Sequence, residues 1–510
     1  MQIASMGAPP AGSSGAVGMT KARGLRTLKQ QAIAGFGWSG SSMALSSLLQ
    51  LLQLVVLSRL LLPSDFGIMS LILVVLGFAN MLADAGLSSA IIQRQDVTID
   101  QLSSLYWLNI LIGLFIYLGL VVAAPLIAFF YQEAELVGLV RLAALSIVII
   151  AFGQQFYALL QKRLEFKKIA IVEVCSSTAS TVITISCAAV GMGVYSLIFG
   201  QLGLALVRCA GLAIAVRGVF LPRLRFKSSD ILSFLRFGGL QTGEKIINYL
   251  SANLDTMIIG RFFGPATLGL YSVSYQLVTV PLTKINPVVT RVAFPLFSQI
   301  QSDESALKQA YLKLLTSLAL LTLPLLATLA AVAPILVPAV LGEKWIGAAP
   351  FIQVLVIVGI SKCLINPSGS LYLAKGRPDI GLYWNIIVAL VNLLAFWIAA
   401  HYGIQAMTLT YCVLSVAYFF VGMGLLWPIA NISPSAAAQA LRLPTILSIA
   451  TFLTVSAASK AFSSLELPPM TELTLTGSTG LLFFVLFFAL LDRERFGTIL
   501  HSVRLKFWRF

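Results

Sequence analysis

The chain is poor in charge. Only 10% of its 510 residues are Asp, Glu, Lys or Arg, where a soluble domain carries roughly 25%. So few charges cannot cover a water-facing surface on a chain this long. With 58% hydrophobic residues and a mean hydropathy of +0.93, most of the chain has lipid as its solvent. Histidine is nearly absent. His401 and His501 are the only two, too few for a His-based metal or acid–base site. No Gly-rich phosphate loop is present, which excludes ATP hydrolysis by the chain itself. The five cysteines, Cys175, Cys187, Cys209, Cys363 and Cys412, lie in apolar runs without a Cys-x-x-Cys pair. They read as small packing residues rather than disulfides or metal ligands. No cofactor and no metal is expected. Residues 1–20, rich in Gly, Ala, Ser and Pro, lack the apolar core of a cleavable signal peptide.

What is abundant is the long apolar run. Segments of spanning length recur at 34–60, 66–92, 104–130, 137–160, 169–190 and 194–216, then at 238–260, 268–297, 312–341, 346–373, 380–400 and 404–430, with a last pair at 442–462 and 473–491. The fold class expected is an all-α polytopic membrane protein of about fourteen transmembrane helices.

The net charge of +15 would point to nucleic acid in a soluble protein. Here it reads as topology, and no nucleic-acid partner is expected. With the N-terminus in the cytoplasm, 24 of the 34 basic residues fall in inner loops and tails, 4 (Arg59, Arg261, Lys344, Lys460) in outer loops and 6 within spans. One missed or invented span would flip every loop downstream and destroy this asymmetry, so an even count with both termini inside is favoured.

The chain divides accordingly: a disordered basic N-terminus at 1–30, a six-helix bundle at 31–220, a linker at 221–237, a second six-helix bundle at 238–432, a final helix pair at 433–491 and a basic tail at 492–510. Within the linker, 224–237 alternates Ile231, Leu232, Phe234 and Leu235 with basic residues. It reads as an amphipathic segment on the inner leaflet.

An internal repeat supports the two halves. The first outer turn is Arg59-x3-Pro63-x3-Gly67, and the turn after the seventh span is Arg261-x3-Pro265-x3-Gly269. Inner turns echo each other too, with Tyr157 and Lys162-Arg163 after span four, and Tyr372, Lys375 and Arg377 after span ten. Repeats in the same orientation imply a pseudo-two-fold axis along the membrane normal, with a site between the halves.

On these residues the chain resembles the polysaccharide transporter branch of the MOP superfamily, the Wzx-type oligosaccharide flippases, and most of all the colanic-acid type. The resemblance rests on the Arg59 to Gly67 turn, Asp84-Ala-Gly86 running into Ile92-Gln93-Arg94, and Gln161-Lys-Arg163-Leu-Glu-Phe166-Lys167. In the second half it rests on Leu254-Asp255, Gly260-Arg261, and Leu341-Gly342 leading to Trp345 and Ala348-Ala349-Pro350. It covers roughly residues 30–430. It implies two six-helix bundles in a V around a central cavity. The implied cargo is an undecaprenyl-diphosphate-linked oligosaccharide, carried from the cytoplasmic to the outer leaflet of the bacterial inner membrane by alternating access. A polysaccharide polymerase and a chain-length regulator are the implied partners, besides membrane lipid. A lipid II flippase or a multidrug exporter of the same superfamily are the alternatives. A membrane-embedded polymerase is a rival of another class, and it lacks here the sizeable outer loop or Asp-x-Asp site such enzymes carry. The chain is therefore read as no enzyme, with no catalytic residues.

Charges inside spans are the best pointers to function, because each needs a partner or hydration. The basic set is Arg141, Arg208, Lys245, Lys284, Arg291 and Lys362; the acidic set is Asp84, Glu173, Glu244 and Asp255. The resemblance places spans seven, eight and ten on the cavity. Lys245, Lys284, Arg291 and Lys362 are thus the candidate substrate contacts, since a diphosphate needs cations; structural ion pairs or snorkelling to the interface is the other reading of each. Asp84, Glu244 and Asp255 are candidate counter-ions or coupling carboxylates. Arg208 is expected to pair with Glu173. Gln50, Gln53, Gln154, Gln155, Asn248 and Asn253 suit sugar hydroxyls and interhelical hydrogen bonds equally.

Overall fold

The computed structural model describes the chain from residue 13 to residue 491, apart from 85, 94–96, 219, 228–231 and 466 and the side chains of 13–34, 36, 89, 90, 232–242, 244 and 288. The first half contains α1 (Ser13–Leu60), α2 (Pro63–Asp84), the short α3 (Leu87–Gln93), α4 (Ile99–Tyr131), α5 (Leu136–Lys162), α6 (Phe166–Ala189) and α7 (Val194–Ala215). The second contains α8 (Leu232–Gln299), α9 (Glu304–Leu336), α10 (Ala348–Ala374), α11 (Pro378–Ala400) and α12 (Ile404–Ala430), followed by α13 (Pro434–Ser463) and α14 (Pro469–Leu491). There is no strand among the described residues.

Twelve helices among the described residues are long and apolar enough to cross a membrane. α8 is two helices joined at a kink, where Gly264 takes φ 76° and Pro265 follows. Only glycine adopts that φ without steric cost, and proline is favoured in the first turn of the limb that follows. Each limb, 232–263 and 265–299, exceeds the roughly 20 residues a span needs. The charges within them keep their hydropathy low. The long helices present large apolar side chains outward: Phe115, Val122 and Phe129 are 78%, 80% and 81% exposed. Such a girdle is stable only against lipid.

Two sequence-based boundaries differ from the structure. The expected span 66–92 ends as α2 at Asp84 and resumes as α3, because Gly86 takes φ 70° and turns the chain. The linker forms neither helix nor strand over 221–227, bends at Leu224, and α8 begins at Leu232. Of the amphipathic segment expected at 224–237, the side chains of Ile231, Leu232, Phe234 and Leu235 lie outside the described residues; just before them Leu224 and Phe226 are exposed, and the Arg223 and Arg225 guanidiniums reach Asp100 at the start of α4. The linker backbone is held as well, with the Arg223 amide donating to Ser103 Oγ at 3.0 Å and the Trp107 indole to the Arg223 carbonyl at 2.9 Å. Helix α1 reaches back to Ser13, into the expected basic leader; the tail at 492–510 lies outside the described residues.

The halves pack alike. In the first, α1 lies on α6, α4 on α5, α5 on α7 and α6 on α7. In the second, α8 lies on α11, α9 on α10, α10 on α12 and α11 on α12, which are the equivalent spans six places on. α13 and α14 pack on α9, outside this symmetry. The halves meet chiefly through α2 and α8.

Candidate functional site

The repeated turn motif forms a reciprocal contact between the halves, at the end assigned outward by the loop charges. A Cβ built on Gly67 would lie 1.8 Å from the Pro265 carbonyl oxygen, and one on Gly269 would lie 1.7 Å from that of Pro63. Each proline carbonyl thus sits where the other half's glycine has no side chain. The arginines of the motif reach across in the same reciprocal sense. The Arg59 guanidinium donates to the Val340 carbonyl at 3.2 Å and to the Ala339 carbonyl, in the connection between α9 and α10. Arg261 lies over the Phe130 ring at 5.7 Å, beside the connection between α4 and α5. The first clasp is the stronger. The buried Trp345 indole donates to the Ser58 carbonyl at 2.9 Å and meets Phe66 edge-on.

At the opposite end, Lys245 on the first limb of α8 pairs with Asp84 at the end of α2 at 3.7 Å. Asp84 is also held by Ser88, whose hydroxyl donates at 2.6 Å, and by the Gln154 carboxamide at 3.3 Å. One candidate substrate cation and one candidate counter-ion therefore come together, and they bridge the two halves. Between the two ends, the Tyr249 hydroxyl donates to the Val74 carbonyl at 2.9 Å, in a notch left by Gly77, where a Cβ would lie 2.1 Å from it.

Lys362 and Asp255 belong to a network inside the second bundle. The Lys362 ammonium donates to the Tyr275 hydroxyl at 2.8 Å and lies over the Tyr275 and Tyr411 rings at 5.2 and 5.3 Å. Tyr271, stacked on Tyr275, donates its hydroxyl at 2.6 Å to the buried Asp255 carboxylate. Lys362 also lines a cavity of 270 Å³ with Asn248, Asn385 and Asn392. The tyrosine partners were missed in the sequence, although the spacing of Tyr271 and Tyr275, one helical turn apart, marks them as sharing a face.

Lys284 is different. Half-buried on the second limb of α8, it forms no hydrogen bond and no ion pair among the described residues. At about 100° per residue, Gln276, Lys284 and Arg291 fall within an arc of about 80° on that limb. Gln276 faces the space between the halves, so this face presents a carboxamide, an ammonium and, at the exposed Arg291, a guanidinium. The Glu244 side chain lies outside the described residues. Arg208 and Glu173 approach to 3.8 Å, as expected, with Arg208 over the Tyr157 ring. Among the described residues no group of three His, Cys, Asp or Glu side chains could hold a metal.

Two helical halves around a cleft, bridged near each end by contacts between them, are the architecture of a multi-pass membrane transporter. A family model described as "Polysaccharide biosynthesis protein" matches residues 56–350. The chain is 35% identical over 425 residues to the teichuronic acid biosynthesis protein TuaB of Bacillus subtilis, covering 83% of this chain and 88% of that one. It is 35% identical over 360 residues to the lipopolysaccharide biosynthesis protein WzxC of Escherichia coli, covering 71% and 73%. Among solved structures, the lipid II flippase MurJ in an inward closed conformation superposes with a TM-score of 0.73 at 14% identity, over 90% of this chain and 99% of that one. At that identity the likeness speaks for the fold alone. The chain belongs to the polysaccharide biosynthesis family, within the Wzx-type flippase branch of the MOP superfamily.

Proposed function

We propose that the protein carries undecaprenyl-diphosphate-linked oligosaccharide repeat units from the cytoplasmic to the outer leaflet of the bacterial inner membrane, by alternating access, for exopolysaccharide, O-antigen or capsule synthesis. The observation that carries this reading is Lys284: an ammonium with no partner among the described residues, on a helix that faces the space between the halves, in a chain of the polysaccharide biosynthesis family. An unpaired charge within a membrane span is costly and persists where it serves an ion or substrate pathway. A diphosphate supplies the missing anion, and Arg291 two turns further on adds a planar, multi-donor partner.

The two inter-half contacts act as alternating closures in this reading. The outer clasp opens after the Asp84 to Lys245 pair has closed, and the reverse. Lys245 then serves the closure first and the substrate only when the pair parts. Lys362 serves the second bundle's internal network, with Asp255 as its distant counter-charge. Both termini face the cytoplasm, and the protein works beside a polymerase and a chain-length regulator.

The test is to replace Lys284 and Arg291 by Ala, singly and together, in cells that depend on this chain. Lipid-linked oligosaccharide should accumulate and surface polysaccharide should fall while the protein remains inserted. If deletion of the whole gene leaves surface polysaccharide unchanged, the proposal fails.

A further inference from the structure

Below the outer clasp lies a pocket of 410 Å³ between α1, α2, α6, α7 and the second limb of α8. Its volume falls within the range of small-ligand sites, about 300–1,000 Å³. No ionisable side chain lines it; its polar groups are carboxamides and hydroxyls. The carboxamides are Gln50, Gln53, Gln201 and Gln276, contributed by both halves of the molecule. Among the described residues Gln50, Gln201 and Gln276 make no hydrogen bond, and Gln53 only accepts one, from the Thr181 hydroxyl at 3.2 Å.

The hydroxyls are spent differently. Thr184 donates to the Ser180 carbonyl of its own helix at 2.7 Å, and Thr181 shares its one proton between the Ser177 carbonyl at 2.9 Å and Gln53 Oε1. That satisfies the proton and leaves oxygen lone pairs to accept. The pocket therefore offers paired donors and acceptors on four flexible amides, plus further acceptors, and no charge. Water can meet that demand. So can a neutral polyol, whose every hydroxyl both donates and accepts.

We propose that this pocket is a saccharide subsite for a neutral sugar of the transported oligosaccharide. The inference rests on the flippase reading above and adds to it where the sugar sits and which charge it carries. Gln276 lies eight residues from Lys284 along one helix, a rise of about 12 Å. With the diphosphate at Lys284, the pocket receives a sugar distal to the lipid linkage rather than the one bonded to phosphate. A uronic acid or pyruvylated sugar at that point would bring a carboxylate to a site with no cation, and burying an unpaired charge is strongly unfavourable.

The experiment uses the full chain in lipid nanodiscs with three probes. These are undecaprenyl diphosphate, the same lipid carrying a neutral hexose trisaccharide, and the same lipid carrying a trisaccharide that ends in a uronic acid. Binding is read by native mass spectrometry for the wild type, for Lys284→Ala and for the triple variant Gln53→Ala, Gln201→Ala and Gln276→Ala. The subsite predicts that the triple variant loses about tenfold or more in affinity for the neutral glycolipid, equal to about 1.4 kcal/mol. It should bind undecaprenyl diphosphate as the wild type does, which also shows that it is folded. The wild type should prefer the neutral chain over the acidic one. If the triple variant holds the neutral glycolipid as tightly as the wild type does, or if the acidic chain binds more tightly, the subsite is refuted. In either case a loss of lipid binding in Lys284→Ala would leave the flippase reading standing. If the wild type binds none of the three lipids, the flippase reading fails and the subsite with it.

Discussion

The Gly67 to Pro265 contact makes a quantitative demand on the outer closure. A Cβ at Gly67 would lie 1.8 Å from the Pro265 carbonyl oxygen, and at Gly269 1.7 Å from that of Pro63. Real Cβ contacts of that kind do not fall below 3.0 Å. Gly67→Ala must therefore drive the helices apart by about 1 Å, and overpacking of this sort costs about 1–3 kcal/mol. The cost falls only on the state in which the halves touch. The substitution should thus bias the equilibrium toward the outward-open state by about 5- to 150-fold, rather than unfold the protein. The assay is a single Gln276→Cys in a background whose native cysteines are replaced, exposed to a membrane-impermeant maleimide from outside. Gln276 lines the pocket beneath the clasp, so its labelling rate reports opening. Gly67→Ala and Gly269→Ala should each raise that rate, with the melting temperature of the purified protein little changed. Unchanged labelling in both variants would show that the clasp does not close the outer path.

At the other end, Asp84→Asn and Lys245→Ala should each loosen the inner closure and raise thiol labelling from the cytoplasmic side. The Asp84→Lys, Lys245→Asp exchange should restore much of it. The pair is partly exposed, so its coupling should be no more than about 1 kcal/mol in a double-mutant cycle; a larger value would mean that more than this pair holds the end shut. Lys362→Met should lower the melting temperature, because it strips the Tyr275 hydroxyl of its partner and removes a cation from the network that holds the buried Asp255. If transport is lost with the melting temperature intact, Lys362 contacts cargo instead. Asp100→Ala should free the linker, seen as a few-fold faster tryptic cleavage after Arg223, Arg225 and Lys227. The ion pairs it removes are exposed and weak, worth about 0–1 kcal/mol each, so the backbone bonds to Ser103 and Ser104 should still hold the segment in part.

Much of the architecture was legible because the bilayer imposes its own arithmetic. Low charge and apolar runs of spanning length specify helices and their approximate ends without any knowledge of packing, and the one-sided distribution of Lys and Arg gives the direction expected of them. The Arg-x3-Pro-x3-Gly repeat was legible for the same reason: turn chemistry is local, and Pro and Gly announce it. Even the pairing of Arg208 with Glu173 could be expected, since both sit inside spans adjacent in sequence. The family resemblance drew on these local signals.

The partners across the halves were not legible. Lys245 and Asp84 stand 161 positions apart, and the same sequence would allow Lys245 to face lipid, cavity or cargo. Helix rotation and the docking of α2 on α8 decide which, and these are set by small-residue notches such as Gly77 under Tyr249. The same holds for Lys362, whose hydropathy context resembles that of Lys284. Packing gives one a tyrosine hydroxyl and two aromatic faces, and leaves the other without a partner among the described residues. The neutral pocket shows the limit most clearly. Gln201 and Gln276 are unremarkable one at a time, and only the approach of five helices from both halves brings them into one pocket. The sequence by itself determined that this chain crosses a membrane many times as apolar helices, because each span meets lipid on its own. Tertiary structure decided which charges pair between the halves, which one has no partner among the described residues and where carboxamides from both halves share a pocket, because those depend on which helix faces meet.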